Sequence, residues 1–271
     1  HGSRLNHTTR VAETLESAVN QALGRTTNPT GREPQLVMVR IVDDFVTISI
    51  DSSGELLHRR GYRKSVTSAP LRETLAAGIL MLLGWESHEP LVDPMCGSGS
   101  FLLEGALLAR RQAPGLNRPF AFMVWPGYRQ GLWTLLCDEA QRLQIDCEGS
   151  ITGYDTDSDA VKVAQDNCER SGKPGQVSIT RLSLADQPVH DGHGLVVCNP
   201  PYGKRLPLDS DARACYQGIG SHLSRVYPGW RKAMLCPDPT LVKASGLPLK
   251  QVAKLDNGGL SVGLYATDAR T

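Results

Sequence analysis

Residues 91–101 read LVDPMCGSGSF, and this stretch decides the fold class. An apolar run that ends in Asp93 predicts a strand, and the glycine-containing turn after it opens an apolar helix predicted over 100–111. Gly97 and Gly99 let the backbone approach a ligand, because a side chain at either position would block it. Amide groups at the helix N-terminus suit a carboxylate or a phosphate, so the stretch predicts a binding turn. The candidate binding residues are Asp93, Pro94, Cys96, Gly97, Ser98 and Gly99.

The spacing of the glycines argues against two common phosphate-binding turns. The dinucleotide fingerprint G-x-G-x-x-G requires glycine at position 102, where the chain has Leu102, and the P-loop requires a Gly-Lys-Ser/Thr step that is absent. What remains matches the S-adenosylmethionine turn of Rossmann-like methyltransferases. There, Asp93 would accept a hydrogen bond from the amino group of the ligand, directly or through water. The alternative is an ordinary strand-to-helix turn.

Strands alternate with helices after this turn, which predicts a mostly parallel sheet with helices on both faces. Ligands bind such sheets at the carboxyl ends of the strands. Asp155, at the end of a strand predicted over 150–154, could accept both hydroxyls of a ribose, whereas Asp157 and Asp159 are interpreted as helix caps. Asp186 follows the next predicted strand and could accept from an adenine amine, although an acid before a turn proline is common in any loop.

The sharpest motif is NPPYGKRL, residues 199–206, directly after the apolar strand LVVC. The Asn199 side-chain oxygen and the Pro200 carbonyl can both accept from one NH2 group, because prolines fix the backbone and leave its carbonyls free. A planar amine is a poor nucleophile, since its lone pair is delocalised, and two acceptors would localise that pair. Tyr202 can stack on the base. The motif predicts methylation of adenine N6, cytosine N4, guanine N2 or a glutamine amide, and the alternative is a rigid strand-exit turn.

Composition narrows the class of protein. The 271 residues are 40% hydrophobic and 21% charged, which is typical of a globular protein, and the longest apolar-rich stretch has 12 residues where a membrane span needs about 20. Lys and Arg number 29 against 28 Asp and Glu, which favours an enzyme over a general polyanion binder. The seven cysteines lack metal-site spacing and are interpreted as reduced thiols, so we expect no metal and a cytoplasmic location.

The N-terminal region follows a different pattern. His1-Gly2-Ser3 lacks a methionine and is interpreted as a tag remnant before a truncated chain. Apolar spacing predicts a helix over 11–23, and Val- and Ile-rich segments predict a hairpin over 36–50. A further short strand is predicted over 55–58.

Four stretches carry a family resemblance, namely HRRGYRKSVTSAPLRETLAAGIL (58–80), DPMCGSGSFLLEGALLA (93–109), GYDTDSDAV (153–161) and NPPYGKRL (199–206). The chain resembles the THUMP-associated RNA guanine-N2 methyltransferases, above all the bacterial large-subunit rRNA m2G enzymes that form the L half of a fused K/L protein. The resemblance implies an α/β catalytic domain over 58–271, with the seven-stranded, mostly parallel sheet of a Rossmann-like class I methyltransferase. It implies a partial α+β THUMP module over 1–57.

The resemblance also implies the ligands and the site residues. The cofactor would be S-adenosylmethionine, bound by the residues of the 93–99 turn together with Asp155, Asp186 and Asn199. The target would be guanine N2 in 23S rRNA or its precursor particle, with Asn199, Pro200 and Tyr202 in the catalytic role. Six basic residues could meet phosphate, or could instead form salt bridges or solvated surface: Arg59, Arg60, Arg63, Lys64, Lys204 and Arg205.

Other functions share part of this pattern. A tRNA m2G methyltransferase and an adenine-N6 nucleic-acid methyltransferase would use the same catalytic logic. A protein glutamine methyltransferase fits NPPY alone, but the 58–80 resemblance speaks against it, and an inert RNA-binding module is the alternative from another class. We expect a monomer without membrane contact that holds RNA weakly through local basic residues.

Overall fold

A computed structural model describes residues 3–5, 7–24, 35–63, 71–146, 148–172, 177–202 and 211–267. Within them the helices are α1 (Thr8–Leu23), α2 (Glu73–Leu82), α3 (Ser100–Ala109), α4 (Gln130–Arg142), α5 (Ser158–Arg170), α6 (Ala212–Val226) and α7 (Pro239–Ala244). The strands are β1 (Val37–Val42), β2 (Phe45–Ile50), β3 (Leu91–Asp93), β4 (Ile151–Asp155), β5 (Val177–Arg181), β6 (Leu195–Cys198), β7 (Arg231–Cys236), β8 (Lys250–Asn257) and β9 (Leu260–Ala266). Single 3-10 turns cover Ala121–Val124 and Leu184–Asp186.

The chain divides into two compact units, and the first combines His1–Leu56 with Pro119–Gln130. In this unit β1 and β2 pair as an antiparallel hairpin, and the turn residues Asp43 and Asp44 have φ angles of 49° and 62°. Two consecutive left-handed residues form the tight turn that matches the twist of paired strands. The predicted helix over 11–23 and the predicted hairpin are therefore confirmed.

The predicted strand over 55–58 is wrong, because the chain turns there instead. The Asp51 carboxylate accepts from the backbone amides of Ser53, at 2.9 Å, and Gly54, at 3.1 Å. Gly54 has a φ of +75°, a left-handed conformation that glycine adopts without strain. Such an Asp-centred turn redirects the backbone at the point where an extended strand would have begun.

Seven strands of the second unit, Leu57–Arg118 with Gly131–Thr271, form one sheet in the order β5-β4-β3-β6-β7-β9-β8. The first five strands in this order are parallel, and β9 runs antiparallel to both β7 and β8. The predicted seven-stranded, mostly parallel α/β fold is confirmed. Strand order reverses between β3 and β6, and open sheets of this kind bind ligands at that switch point.

Apolar side chains cover both faces of this sheet. On one face α2, α3 and α5 contribute to a cluster that includes Phe101 and Leu80. On the other face α6 and the segment after it contribute Tyr216 and Tyr227, which are fully buried. Every residue of β6 is buried, which explains why its sequence is LVVC without polar alternation.

Arg60 and Arg63 form ion pairs inside the second unit, which is the alternative that the sequence left open beside a contact with RNA. The Nη2 atom of Arg60 lies 3.2 Å from Oε2 of Glu104, whose Oε1 accepts from the Tyr62 hydroxyl at 2.8 Å. The Nε atom of Arg63 lies 3.3 Å from Oε1 of Glu73. The two arginine side chains are 12% and 8% exposed, and both glutamates are buried. A buried carboxylate needs a nearby cation, so these arginines serve the fold.

Replacing Glu104 by Ala tests this network. The substitution leaves the largely buried Arg60 side chain without its counterion and the Tyr62 hydroxyl without its acceptor. We expect the free energy of unfolding, measured by urea denaturation, to fall by about 3–5 kcal/mol. Glu139→Ala, at an exposed position on α4, is the matched control and should change stability by less than about 0.5 kcal/mol. Equal stability of the two variants would contradict the anchoring role of Glu104.

Candidate functional site

Asp93 ends β3 at the switch point of the sheet and is the most deeply buried acid of the site, with 2% of its surface exposed. Its Oδ1 atom accepts from the Met95 amide at 3.1 Å. Burial, with a smaller contribution from the negative charge of Asp155, raises the pKa of Asp93 to about 8, while the Met95 hydrogen bond opposes the shift. The carboxyl group is therefore mostly protonated at neutral pH, and a positively charged partner would favour its ionised form.

The turn after Asp93 depends on two glycines in left-handed conformation. Gly97 has a φ of +52° and Gly99 a φ of +83°. A Cβ atom on Gly99 would lie 3.3 Å from the Cβ of Ala164 on α5, so a side chain there would be both strained and crowded. Gly99 is the N-cap of α3 and makes no side-chain cap, so no described side chain competes for the first amides of that helix.

Asp155, at the end of β4, binds the same turn from the side. Its Oδ2 accepts from the Gly97 amide at 2.8 Å and its Oδ1 from the Asp157 amide at 3.0 Å. A carboxylate has about four acceptor sites, so these two bonds leave capacity for hydroxyl donors. Asp157 is the N-cap of α5 and accepts from the Asp159 amide at 2.8 Å, and Asp159 lies in the first turn, which confirms the predicted capping roles.

Strand register brings the predicted polar residues to one edge of the sheet. Asp93 pairs with Gly153, so Asp155 lies two residues beyond it on β4. On the other side Val92 pairs with Val196, so Asn199, which directly follows β6, lies three residues beyond that pair. Because neighbouring strands are about 4.8 Å apart, the two strands that flank β3 are about 10 Å from each other. Asp155 and Asn199 lie at the ends of these two strands, on either side of Asp93.

Asn199 and the residues after it leave β6 at this edge. The side-chain oxygen of Asn199 is buried and has no hydrogen-bond partner among the described residues. Pro200 is buried, and Tyr202 is only 6% exposed and belongs to the cluster with Phe101. Sequence analysis expected Tyr202 to stack on a base, whereas the structure places its ring in the core beside the site.

Asp186 lies at the end of the 3-10 turn after β5 and is exposed. Its Oδ2 accepts from the Ser183 hydroxyl at 2.5 Å. The next residue, Gln187, was not predicted: it is 3% exposed, and its Nε2 donates to the Pro94 carbonyl at 3.0 Å. A single glutamine before a loop proline carries no sequence signal, so only the folded chain identifies this contact with the Asp93 turn.

The remaining predicted basic residues divide into two groups. Arg59 is exposed, and Lys64, Lys204 and Arg205 lie outside the described residues.

Within the part of the chain that is described, no three His, Cys, Asp or Glu side chains are grouped closely enough to hold a metal ion. The described helices include none that is long and apolar enough to cross a membrane.

Comparison with known proteins agrees with this geometry. The family model described as UPF0020, the RMKL-like methyltransferase domain, matches residues 60–265. This chain belongs to that family. The match includes the glycine turn, Asp155 and the Asn199 motif, and it confirms the resemblance to the K/L enzymes.

Individual relatives of this RMKL-like domain cover most of its length. The protein named Ribosomal RNA large subunit methyltransferase K/L from Saccharophagus degradans is 36% identical over 94% of this chain. The matched region is only 36% of the length of that relative, so this chain spans about a third of it. The crystal structure of SMU.472 complexed with SAH is 30% identical, with a TM-score of 0.87 over 100% of this chain and 73% of that one. A structure described as a predicted N6-adenine-specific DNA methylase from Listeria monocytogenes is 31% identical, with a TM-score of 0.78 over 96% and 67% of the two chains.

Asp93→Asn should change how the stability of the RMKL-like domain depends on pH. The pKa of Asp93 in the folded protein, about 8, lies above the ordinary value of 3.8, so the folded state holds the proton more tightly than the unfolded chain. The stability from this group is full below about pH 4 and is lost as the pH rises through about 8. Asparagine stays neutral and can still accept from Met95, so the variant gains on the wild type by about 1.4 kcal/mol per pH unit in that range.

Urea unfolding of both proteins at pH 5 and pH 8 measures this gain. Asp138→Asn, at an exposed position on α4, controls for the change of charge alone. A stability difference between Asp93→Asn and the wild type that is the same at both pH values would contradict the raised pKa of Asp93.

Proposed function

We propose that this domain transfers a methyl group from S-adenosylmethionine to the N2 amine of guanine in large-subunit rRNA. The proposal depends on the side-chain oxygen of Asn199, which is buried without a partner among the described residues. A buried unpaired acceptor costs about 1–3 kcal/mol, so its presence at a functional edge points to a donor that arrives with the substrate. An NH2 group is such a donor.

The residues around β3 fit S-adenosylmethionine, which supplies an electrophilic methyl group on its sulfonium. The related SMU.472 structure contains SAH, S-adenosylhomocysteine, which is the same molecule without that methyl group. The ionised Asp93 accepts from the ammonium of the cofactor, and Asp155 accepts from its ribose hydroxyls. Asp186 accepts from the adenine amine. A Cβ atom at Gly97 would meet no described atom within 4 Å, so the turn leaves room for a ligand.

Asn199 and Pro200 activate the target amine by accepting one hydrogen bond from each of its two N–H groups. The lone pair of an aromatic amine is delocalised into the ring, and these two hydrogen bonds favour the tetrahedral geometry that localises it. The nitrogen then attacks the methyl carbon in line as the bond from that carbon to the sulfonium sulfur breaks, and S-adenosylhomocysteine leaves with the electron pair. The methylated ammonium loses its proton to solvent because it is acidic. Holding the amine in this position accounts for much of the rate, since the reaction then becomes effectively unimolecular.

Tyr202 contributes to base recognition by stacking. Because its ring is 6% exposed, binding of a flipped-out base has to uncover one face of the ring. Tyr202→Phe keeps the stacking surface and should retain activity, whereas Tyr202→Ala should raise the KM for RNA.

Ribosomal RNA is the substrate that the relatives favour. The match to the K/L protein of Saccharophagus degradans includes 94% of this chain, and the name of that protein specifies the large ribosomal subunit. Residues 1–57 act as a partial THUMP module, and Arg59, Lys64, Lys204 and Arg205 supply phosphate contacts. Such a substrate places the enzyme in the cytoplasm, where it works as a monomer.

Adenine N6 is the second candidate target. The 31% identical structure from Listeria monocytogenes is described as a predicted N6-adenine-specific DNA methylase. The Asn199 oxygen and the Pro200 carbonyl would accept from an adenine amine as readily as from that of guanine. The identity of the methylated nucleoside therefore separates the two functions.

The protein, incubated with methyl-labelled cofactor and separate pools of deproteinised rRNA, tRNA and DNA, should label rRNA. Nucleoside analysis by mass spectrometry should identify N2-methylguanosine. Asn199→Ala removes one acceptor and should lower turnover by about 10²–10³-fold, the scale of losing one preorganised hydrogen-bonding group from an active site.

Calorimetry with S-adenosylhomocysteine provides the control, because Asn199→Ala should bind it within about threefold of the wild type. Asn117→Ala, at an exposed position, is the matched variant and should leave both turnover and binding unchanged. Label in N6-methyladenosine would replace the guanine proposal by the adenine one. Unchanged turnover of Asn199→Ala would refute the role of that residue.

A further inference from the structure

We propose that Gln187 is a positioning residue that links the adenine end of the cofactor site to the turn at Asp93, an inference that rests on the proposed cofactor function. Gln187 follows Asp186 directly and is buried. Its Nε2 donates to the Pro94 carbonyl at 3.0 Å, and its Oε1 accepts from the Tyr227 hydroxyl at 3.1 Å. One side chain thus joins the loop after β5 to the turn after β3.

The Pro94 carbonyl and the Met95 amide belong to the same peptide unit. Gln187 holds the carbonyl end of this unit, and the Asp93 carboxylate holds its N–H end at 3.1 Å. A planar peptide held at both ends has one orientation. That orientation fixes which Asp93 oxygen is engaged by the backbone and leaves the other oxygen for the ammonium of the cofactor.

Tyr227 fixes the orientation of the Gln187 amide. A glutamine amide can turn over and exchange its donor for its acceptor. The Tyr227 hydroxyl, on a fully buried residue, donates to Oε1 and so directs Nε2 towards Pro94. The ring of Tyr227 is itself held between Trp230, at 5.5 Å between ring centroids, and His190, at 5.0 Å. The hydrogen-bonded chain therefore begins in the core and ends at the ligand-binding turn.

The amide of Gln187 supplies the donor and the acceptor that its two neighbours require. A carboxylate at this position could still accept from Tyr227 but could not donate to the Pro94 carbonyl, and it would add negative charge near Asp93. Gln187→Glu therefore replaces the donor that faces the Pro94 carbonyl by an acceptor, while it keeps the size of the side chain. Tyr227→Phe removes the orienting hydroxyl and leaves the donor to Pro94 in place, so its effect should be smaller.

The test measures the affinity of the full chain for S-adenosylhomocysteine by calorimetry, together with KM for S-adenosylmethionine and kcat on RNA. Gln187→Glu should weaken binding and raise KM by about 10- to 100-fold, the scale of leaving one buried polar group unsatisfied. The kcat at saturating cofactor should stay within about threefold. Tyr227→Phe should weaken binding by a smaller factor in the same direction.

Gln165→Glu is the matched control. Gln165 lies on α5, and its Nε2 also donates to a backbone carbonyl, that of Ile179, at 2.9 Å. Among the described residues, this bond joins α5 to β5 and does not reach the Asp93 turn, so its substitution should lower thermal stability without a change in cofactor affinity.

Each outcome decides between the proposals. If Gln187→Glu binds S-adenosylhomocysteine as tightly as Gln165→Glu does, Gln187 has a structural role only and the inference is overturned. Should Gln187→Glu fail to fold, Tyr227→Phe decides in the same way, since wild-type affinity in that variant would also overturn it. A wild-type chain that binds no S-adenosylhomocysteine refutes the proposed cofactor function itself, whereas binding by the wild type with loss in the variant supports both.

Discussion

The left-handed backbone at Gly97 and Gly99 is the constraint on which the site depends. These φ angles, +52° and +83°, let β3 turn directly into α3. Glycine adopts such angles without a side-chain penalty, and a Cβ atom at Gly99 would crowd Ala164 at 3.3 Å. The neighbouring strands can then contribute to one site, because their ends meet at this turn.

The turn is rigid because its backbone groups have partners outside it. Asp155 accepts from Gly97, Gln187 donates to Pro94, and the buried amide of Asn167 donates to the Ser98 carbonyl at 3.3 Å. A site held by such second contacts keeps its geometry before any ligand binds. Preorganisation of this kind reduces the ordering cost of cofactor binding.

Sequence alone predicted the elements that depend on local pattern and missed those that depend on distant partners. The β6 strand was predicted with the bounds that the structure has, and Asp157 and Asp159 were predicted as helix caps, because a continuous apolar run and an acidic cap are local signals. For Arg60 the sequence left open a phosphate contact, a salt bridge and a solvated surface position. Its actual partner, Glu104, is 44 residues away and faces it only after α3 has packed. Gln187 was missed for the same reason.

Two buried polar groups of the site, the Asp93 carboxyl and the Asn199 side-chain oxygen, have fewer partners among the described residues than buried polar groups normally have. Asp93 is buried with a raised pKa, so the fold tolerates an acid that would be more stable in its neutral form at neutral pH. Asn199 keeps a buried oxygen without a described partner. Stability alone would favour replacement of both residues, and departures of this kind concentrate at functional sites. Asp93 and Asn199 lie at the ends of the paired strands β3 and β6, so a cation partner for Asp93 and an NH2 partner for Asn199 would be held on adjacent strands, as a methyl transfer between two bound molecules requires.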